Sequence, residues 1–302
     1  MGRIIRYCDW GIQYEADLVH AETIIRELGL EDARPLGSPC ADSAASSNTT
    51  ADGAGHSGNS IADLRRAVGS QKGKSLELPH EECIPEPDSP ALEGEVLTRD
   101  QSVSARLNHL ALDRPDLQHS AKERMRKMSD ATEADHGKLK RAGRHLRRKP
   151  RAVLKFYWGD PGSVIKAYVD ADFAGCTSAR KSTSGGAIFW GQVCFKSWSK
   201  TQPTIALSSG ESELAAVVRG AAEALGMRSI CQDFGITVEI AMLSDATAAI
   251  GIVGREGLGK VRHLATADLW IQQRVRRGEF SVSTWPGENN PADLCTTMCT
   301  IS

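Results

Sequence analysis

The sequence has no CxxC pair and no cysteine–histidine cluster at zinc-finger spacing. Its 8 cysteines, Cys8, Cys40, Cys83, Cys176, Cys194, Cys231, Cys295 and Cys299, are scattered along 302 residues. Free thiols in a reducing compartment are therefore expected, and with them an intracellular protein, cytoplasmic or nuclear rather than secreted. Cys295 and Cys299 are four apart and could share a helix face, but no further ligands stand near them. No apolar run approaches the ~20 residues that span a bilayer. Met1-Gly2-Arg3-Ile4 is too polar to open a signal peptide. No membrane association is expected. A large charge excess is also missing, since the formal net charge is -1.

What is present is uneven. Hydrophobic residues make up 40%, enough for at least one substantial core. Basic residues crowd 122–155, with Arg124, Arg126, Lys127, Lys138, Lys140, Arg141, Arg144, Arg147, Arg148, Lys149 and Arg151, while 81–95 is acidic. Residues 1–35 read as folded, with Leu18, Ile24, Ile25 and Leu28 at helical spacing. The stretch 36–99 is dominated by Ser, Ala, Asn, Thr, Gly, Asp, Pro and acids. It cannot bury enough apolar area to offset its ordering entropy and reads as a disordered linker. Residues 100–155 return to helical patterning. Arg114-Pro115-Asp116 marks a break and restart, Asp130 or Thr132 caps a later helix, and Lys149-Pro150 ends it.

From 156 to 302 the pattern changes. Residues 164–170, 186–190 and 193–198 read as strands, the last two joined through Gly191-Gln192 as a hairpin. Helices are expected over 210–234, 246–253, 264–277 and 291–297, and strands over 239–244 and 280–285. Asn290 would cap the final helix, with Pro291 at its first position. A β-β-β-α-β-α-β-α order of this kind gives an α/β domain, a mixed sheet covered by helices.

Four carboxylates fall at telling places. Asp170 and Asp245 end apolar strands, Glu213 lies early in the long helix, and Asp293 follows Asn290-Pro291. Gathered at one sheet edge they would repel each other unless a cation lay between them. Hard oxygen donors suit Mg²⁺ or Mn²⁺. Asp170 and Asp172 are two apart on a strand and would face the same side if the strand continues. Glu211 and Glu213 are separated by about 200° on a helix, so only one can face the sheet. Glu213 shares its face with Val217 and with Gly220 or Ala221, which points Glu213 inward and Glu211 to solvent.

These residues sit in blocks that carry a resemblance. Tyr168-Val169-Asp170-Ala171-Asp172-Phe173-Ala174-Gly175, Arg180-Lys181-Ser182-Thr183-Ser184-Gly185-Gly186 and Trp198-Ser199-Lys200-Thr201-Gln202-Pro203-Thr204-Ile205-Ala206-Leu207-Ser208 resemble successive segments of copia-type retrotransposon RNase H domains. So do Glu211-Ser212-Glu213-Leu214-Ala215-Ala216, Lys260-Val261-Arg262-His263-Leu264 and Asn290-Pro291-Ala292-Asp293-Leu294. Segments 24–35, 105–116 and 128–148 are similar to the end of the reverse transcriptase and its connection to RNase H in the same Pol polyproteins. The polymerase's Tyr-x-Asp-Asp motif is missing, which implies a Pol fragment without a polymerase.

The resemblance implies an RNase H-like fold over 156–302, with Asp170, Glu213, Asp245 and Asp293 as catalytic residues holding two Mg²⁺ or Mn²⁺ ions. The implied partner is an RNA–DNA hybrid, contacted through Lys181, Ser182, Thr183, Lys200, Lys260, Arg262 and His263, and no small-molecule cofactor is implied. The implied activity is endonucleolytic hydrolysis of the RNA strand. Two departures support the alternative, a catalytically inactive remnant that binds nucleic acid weakly. The loop 285–290 has no His, which some cellular relatives carry there, and the sequence stops soon after Cys295 where family members often continue.

Overall fold

The computed structural model describes residues 2–39, 89–176, 179–257 and 269–296. The chain divides into two compact units, Met1–Trp158 and Gly159–Thr297. Most of the stretch read as a linker lies outside the described residues. Its last part does not fit that reading, because a helix already begins at Gly94.

Among its described residues, the first unit combines four α-helices with a small sheet. Strands β1 (Ile4–Cys8), β2 (Gly11–Glu15) and β3 (Val153–Tyr157) form an antiparallel sheet in the order β1-β2-β3. Helices α1 (Leu18–Glu27), α2 (Gly94–Leu110), α3 (Gln118–Arg126) and α4 (Glu133–Arg148) accompany it. Ile24, Val103, Leu107, Leu117, Leu139 and Leu146 are fully buried at their common core. Thr132 caps α4 in a reciprocal capping box with Asp135, and Lys149 follows the helix end as expected.

Arg114 and Asp116 straddle the break between α2 and α3. The Arg114 side chain is almost wholly buried, yet each of its three nitrogens has a partner. It forks onto Asp116 at 2.9 and 2.7 Å and reaches the carbonyls of Pro150 and Lys149 at 3.2 and 3.0 Å. His145 joins Asp116 at 2.9 Å through Nε2 and the Gly37 carbonyl at 2.9 Å through Nδ1. Burial alone would raise the Asp116 carboxyl, but Arg114 and His145 outweigh it and hold the group well below the usual carboxylate range. The basic stretch thus spends His145 internally and turns Lys138, Lys140 and Arg148 to solvent.

The second unit is built on a five-stranded mixed sheet in the order β6-β5-β4-β7-β8. Its strands are β4 (Val164–Cys176), β5 (Lys181–Trp190), β6 (Val193–Thr201), β7 (Glu239–Ser244) and β8 (Ser281–Thr284). Central β4 runs antiparallel to β5 and parallel to β7. Helix α5 (Ser209–Asp233) packs on the sheet, followed by α6 (Thr247–Val253) and α7 (Trp270–Arg276). Ile165, Ala167, Val169, Ile188, Val217, Ala221 and Met242 fill the core. A Cβ at Gly220 would overlap Val169 Cγ1, so glycine lets α5 lie close against β4. Tyr168 meets Phe189 and Trp285 edge-on at 5.5 and 5.3 Å.

This is the expected mixed sheet with helices packed on it, with differences in detail. β4 extends to Cys176 and keeps Asp172 in the ladder opposite Thr183, rather than turning after Asp170. The final segment winds as a tighter 3₁₀ turn, Pro291–Cys295, capped by Asn290. Among the described residues α6 and α7 both stand between β7 and β8, where helices over 246–253 and 264–277 are expected; of the latter, the part before 269 lies outside the described residues.

Candidate metal centre

Backbone register brings the first two carboxylates level. In the parallel pairing of β4 with β7, Tyr168 lies opposite Leu243. Two residues further on, Asp170 still pairs with Gly185 of β5, and Asp245 leaves the end of β7.

Helix α5 supplies Glu213. Ser208 caps its start, accepting from the Glu211 amide at 3.3 Å. Glu211 itself folds back to accept from the Leu207 amide at 2.9 Å, which occupies it at the helix entrance. Glu213 lies on the face continued by buried Val217, Gly220 and Ala221. The result is one oxygen each from Asp170, Glu213 and Asp245, all within 4.8 Å of one another.

The C-terminal turn supplies Asp293. Asn290 holds that turn to β4, donating from Nδ2 to the Val169 carbonyl at 2.9 Å. Its Oδ1 accepts from the Ala292 amide at 3.1 Å. The charges of Asp170 and Asp245 bear directly on Asp293.

The charges of Asp170 and Asp245 act on both Glu213 and Asp293. Burial first, then the charges of Asp170 and Asp245, push the Glu213 carboxyl up to about 8, against the partial relief of the Ala171 amide. Burial and the same two neighbours raise Asp293 to about 8. Asp170 is raised by burial, although a hydrogen bond from Thr296 opposes the shift. Glu213 Oε2 is buried and has no hydrogen-bond partner. An unpartnered buried acceptor among crowded carboxylates is what a cation ligand looks like without its cation, and all-oxygen donors match Mg²⁺ or Mn²⁺.

No family model matches this sequence. An uncharacterized mitochondrial protein of Arabidopsis thaliana is 37% identical over 124 residues, 41% of this chain and 51% of that protein. The retrovirus-related Pol polyprotein from transposon TNT 1-94 of Nicotiana tabacum is 28% identical over 204 residues, covering 65% of this chain and 15% of the polyprotein. The chain is thus similar to retrovirus-related Pol polyproteins of transposons. It spans about half the length of the first relative and a small part of the second. Among solved structures, the N-terminal RNase H domain of a Mycobacterium tuberculosis protein is 15% identical, with a TM-score of 0.33, over 45% of this chain and 91% of that one.

The other candidate residues of this Pol relative separate by exposure. Lys200 is exposed on β6 and Lys181 half-buried at the start of β5. Ser182 and Thr183 are buried, and the Ser182 hydroxyl accepts from the Ala174 amide at 3.0 Å. Lys260, Arg262 and His263 lie outside the described residues. Sequence reasoning gave no role to two groups at the site. Buried Gln202 donates to Ser184 Oγ at 2.9 Å and to the Ser212 carbonyl at 2.8 Å, tying the start of α5 to β5. The Thr296 hydroxyl donates to Asp170 Oδ2. Neither interaction leaves a periodic signal in the sequence, since each joins segments that only the folded sheet brings together.

Proposed function

We propose that this chain hydrolyses the RNA strand of an RNA–DNA hybrid, with Asp170, Glu213, Asp245 and Asp293 holding two Mg²⁺ or Mn²⁺ ions. The observation that carries the reading is the convergence of Asp170, Glu213 and Asp245 from three separate elements to within 4.8 Å. Two such ions would supply an attacking water of lowered pKa and stabilise the leaving 3′ oxygen.

The protein's own part is positional. Helix α5 keeps Glu213 on the face turned toward Asp170 and Asp245. Asn290 keeps the Asp293 turn on β4. The Glu213 and Asp293 carboxyls, raised first by burial and then by the charges of Asp170 and Asp245, would be drawn back to the ionised form by a bound dication. No protein nucleophile and no covalent intermediate are required. Selection of the hybrid would rest on helix shape and the 2′-hydroxyl rather than base sequence. Lys181 and Lys200 would supply salt-sensitive phosphate contacts.

The test is cleavage of an end-labelled hybrid by the full chain. Cleavage is expected with Mg²⁺ or Mn²⁺ and loss with Ca²⁺, whose larger and looser coordination spoils in-line geometry. Equal cleavage in EDTA would rule out the metal mechanism. The loop 285–290, which has no His, favours the second reading, an inactive remnant. That reading gains if Mn²⁺ binds and no hybrid is cut.

A further inference from the structure

The final turn of the second unit touches the acidic site at a point the proposed reaction does not use. Thr296 follows the 3₁₀ turn Pro291–Cys295, and its hydroxyl donates to Asp170 Oδ2. Its backbone amide closes the turn on the Asp293 carbonyl at 3.2 Å. One residue therefore binds the chain segment that carries Asp293 to the side chain of Asp170.

The surroundings make this contact a built one. Thr296 is only 2% exposed. A Cβ at Gly185, the residue paired with Asp170 on β5, would come within 2.9 Å of both the Ala292 carbonyl oxygen and Cys295 Cβ. The turn is thus seated directly on the β5 backbone opposite Asp170. Asn290 fixes its other end to the Val169 carbonyl, one residue before Asp170. Between these anchors the Thr296 hydroxyl has little freedom, and together with the Ala171 amide it limits rotation of the Asp170 carboxylate about its terminal torsion. An unanchored carboxylate has a broad, two-fold torsional preference.

We propose that Thr296 is a positioning residue that fixes the orientation of the Asp170 carboxylate, leaving Oδ1 as the oxygen offered to a metal ion. The inference rests on the metal-dependent reading of the site. Its chemistry is that of an outer hydrogen bond orienting a ligand, an arrangement whose removal typically lowers metal affinity or activity about 10–100-fold.

The experiment uses the full chain in two arms. In the metal-free arm, urea midpoints are measured for wild type, Thr296→Val, Asp170→Asn and the double variant. The expected result is non-additivity, the double variant's shift departing from the sum of the single shifts. Additive shifts overturn the proposal whether or not the protein binds metal. In the second arm Mn²⁺ affinity is read by calorimetric titration. Thr296→Val is expected to bind about 10-fold or more weakly, while Thr296→Ser, which restores the hydroxyl, stays within about 2-fold of wild type. Equal affinity for Thr296→Val and wild type overturns the proposal. If wild type itself binds no Mn²⁺, the metal reading falls, and with it the offered Oδ1, while the first arm decides the Thr296–Asp170 bond separately. Thr296→Ser also guards against misfolding, because a fold lost only in Thr296→Val would leave its midpoint unlike that of the serine variant.

Discussion

Glu213 and Glu211 are two residues apart and do different work. Glu211 is taken up by the Leu207 amide at the entrance of α5, whereas Glu213 meets Asp170 and Asp245. Glu213→Gln is expected to lower hybrid cleavage at least ~10²-fold, the scale of removing a group that stabilises developing charge. Glu211→Gln should leave cleavage nearly unchanged, and the reverse pattern in single-turnover assays would overturn the helix-face assignment. Glu213 also controls how stability depends on pH. Its carboxyl titrates at about 8 in the fold against 4.5 ordinarily, and Asp293 at about 8 against 3.8. Between those limits the folded protein keeps protons that the unfolded chain has released, so stability must fall as pH rises through the window. Urea midpoints of the metal-free chain should drop from pH 5 to pH 8, and Glu213→Gln should flatten the drop. A midpoint that rises over that range would contradict the assignment. The pair Glu211/Glu213 was legible from sequence because a helix converts two residues into opposite directions. Thr296 was not, because its partner Asp170 lies on a distant strand and a lone Thr in a turn has many roles.

At the scale of elements, close approach decides more than propensity. Alanine is a better helix former than glycine by about 1 kcal/mol, so Gly220→Ala in isolation should strengthen α5. Here the added Cβ would overlap Val169 and come within 2.9 Å of Met242 Cε. A net loss of about 1–3 kcal/mol in urea unfolding is expected, the usual cost of overpacking. A stabilised variant would show that α5 can lift off the sheet. Asn290→Ala should cost about 1–3 kcal/mol, since it removes a cap and strands the Val169 carbonyl. Strand β7 and helices α5 and α6 matched their sequence patterns to within a residue, because each has one apolar face or run bounded by turn residues. The β1–β2 hairpin escaped notice. Its strands have no fully apolar face, with Ile5 and Tyr7 well exposed, and β2's other neighbour, β3, comes from the far end of the unit. The basic composition of 138–155 likewise concealed that its last residues form a strand.

At the scale of the whole molecule, each unit has its own core, with no residue shared between the two clusters. Scanning calorimetry is expected to resolve two transitions, as multidomain chains generally depart from a single two-state step. Mg²⁺ should raise the one belonging to Gly159–Thr297, and Leu107→Ala should lower the other by removing a fully buried side chain. A Mg²⁺ shift of the transition lowered by Leu107→Ala would place the ion in the wrong unit. The seating of the last turn on β4 and β5 has a further consequence, one of timing. Asp170 is synthesised long before Asp293, and the strands between them can pair as they emerge. Until the segment from Asn290 to Thr296 arrives, the sheet has its shape but lacks its fourth carboxylate. A chain whose final turn has peeled away would then keep its sheet while its fourth carboxylate is withdrawn from the other three, so that one short segment arms the proposed site.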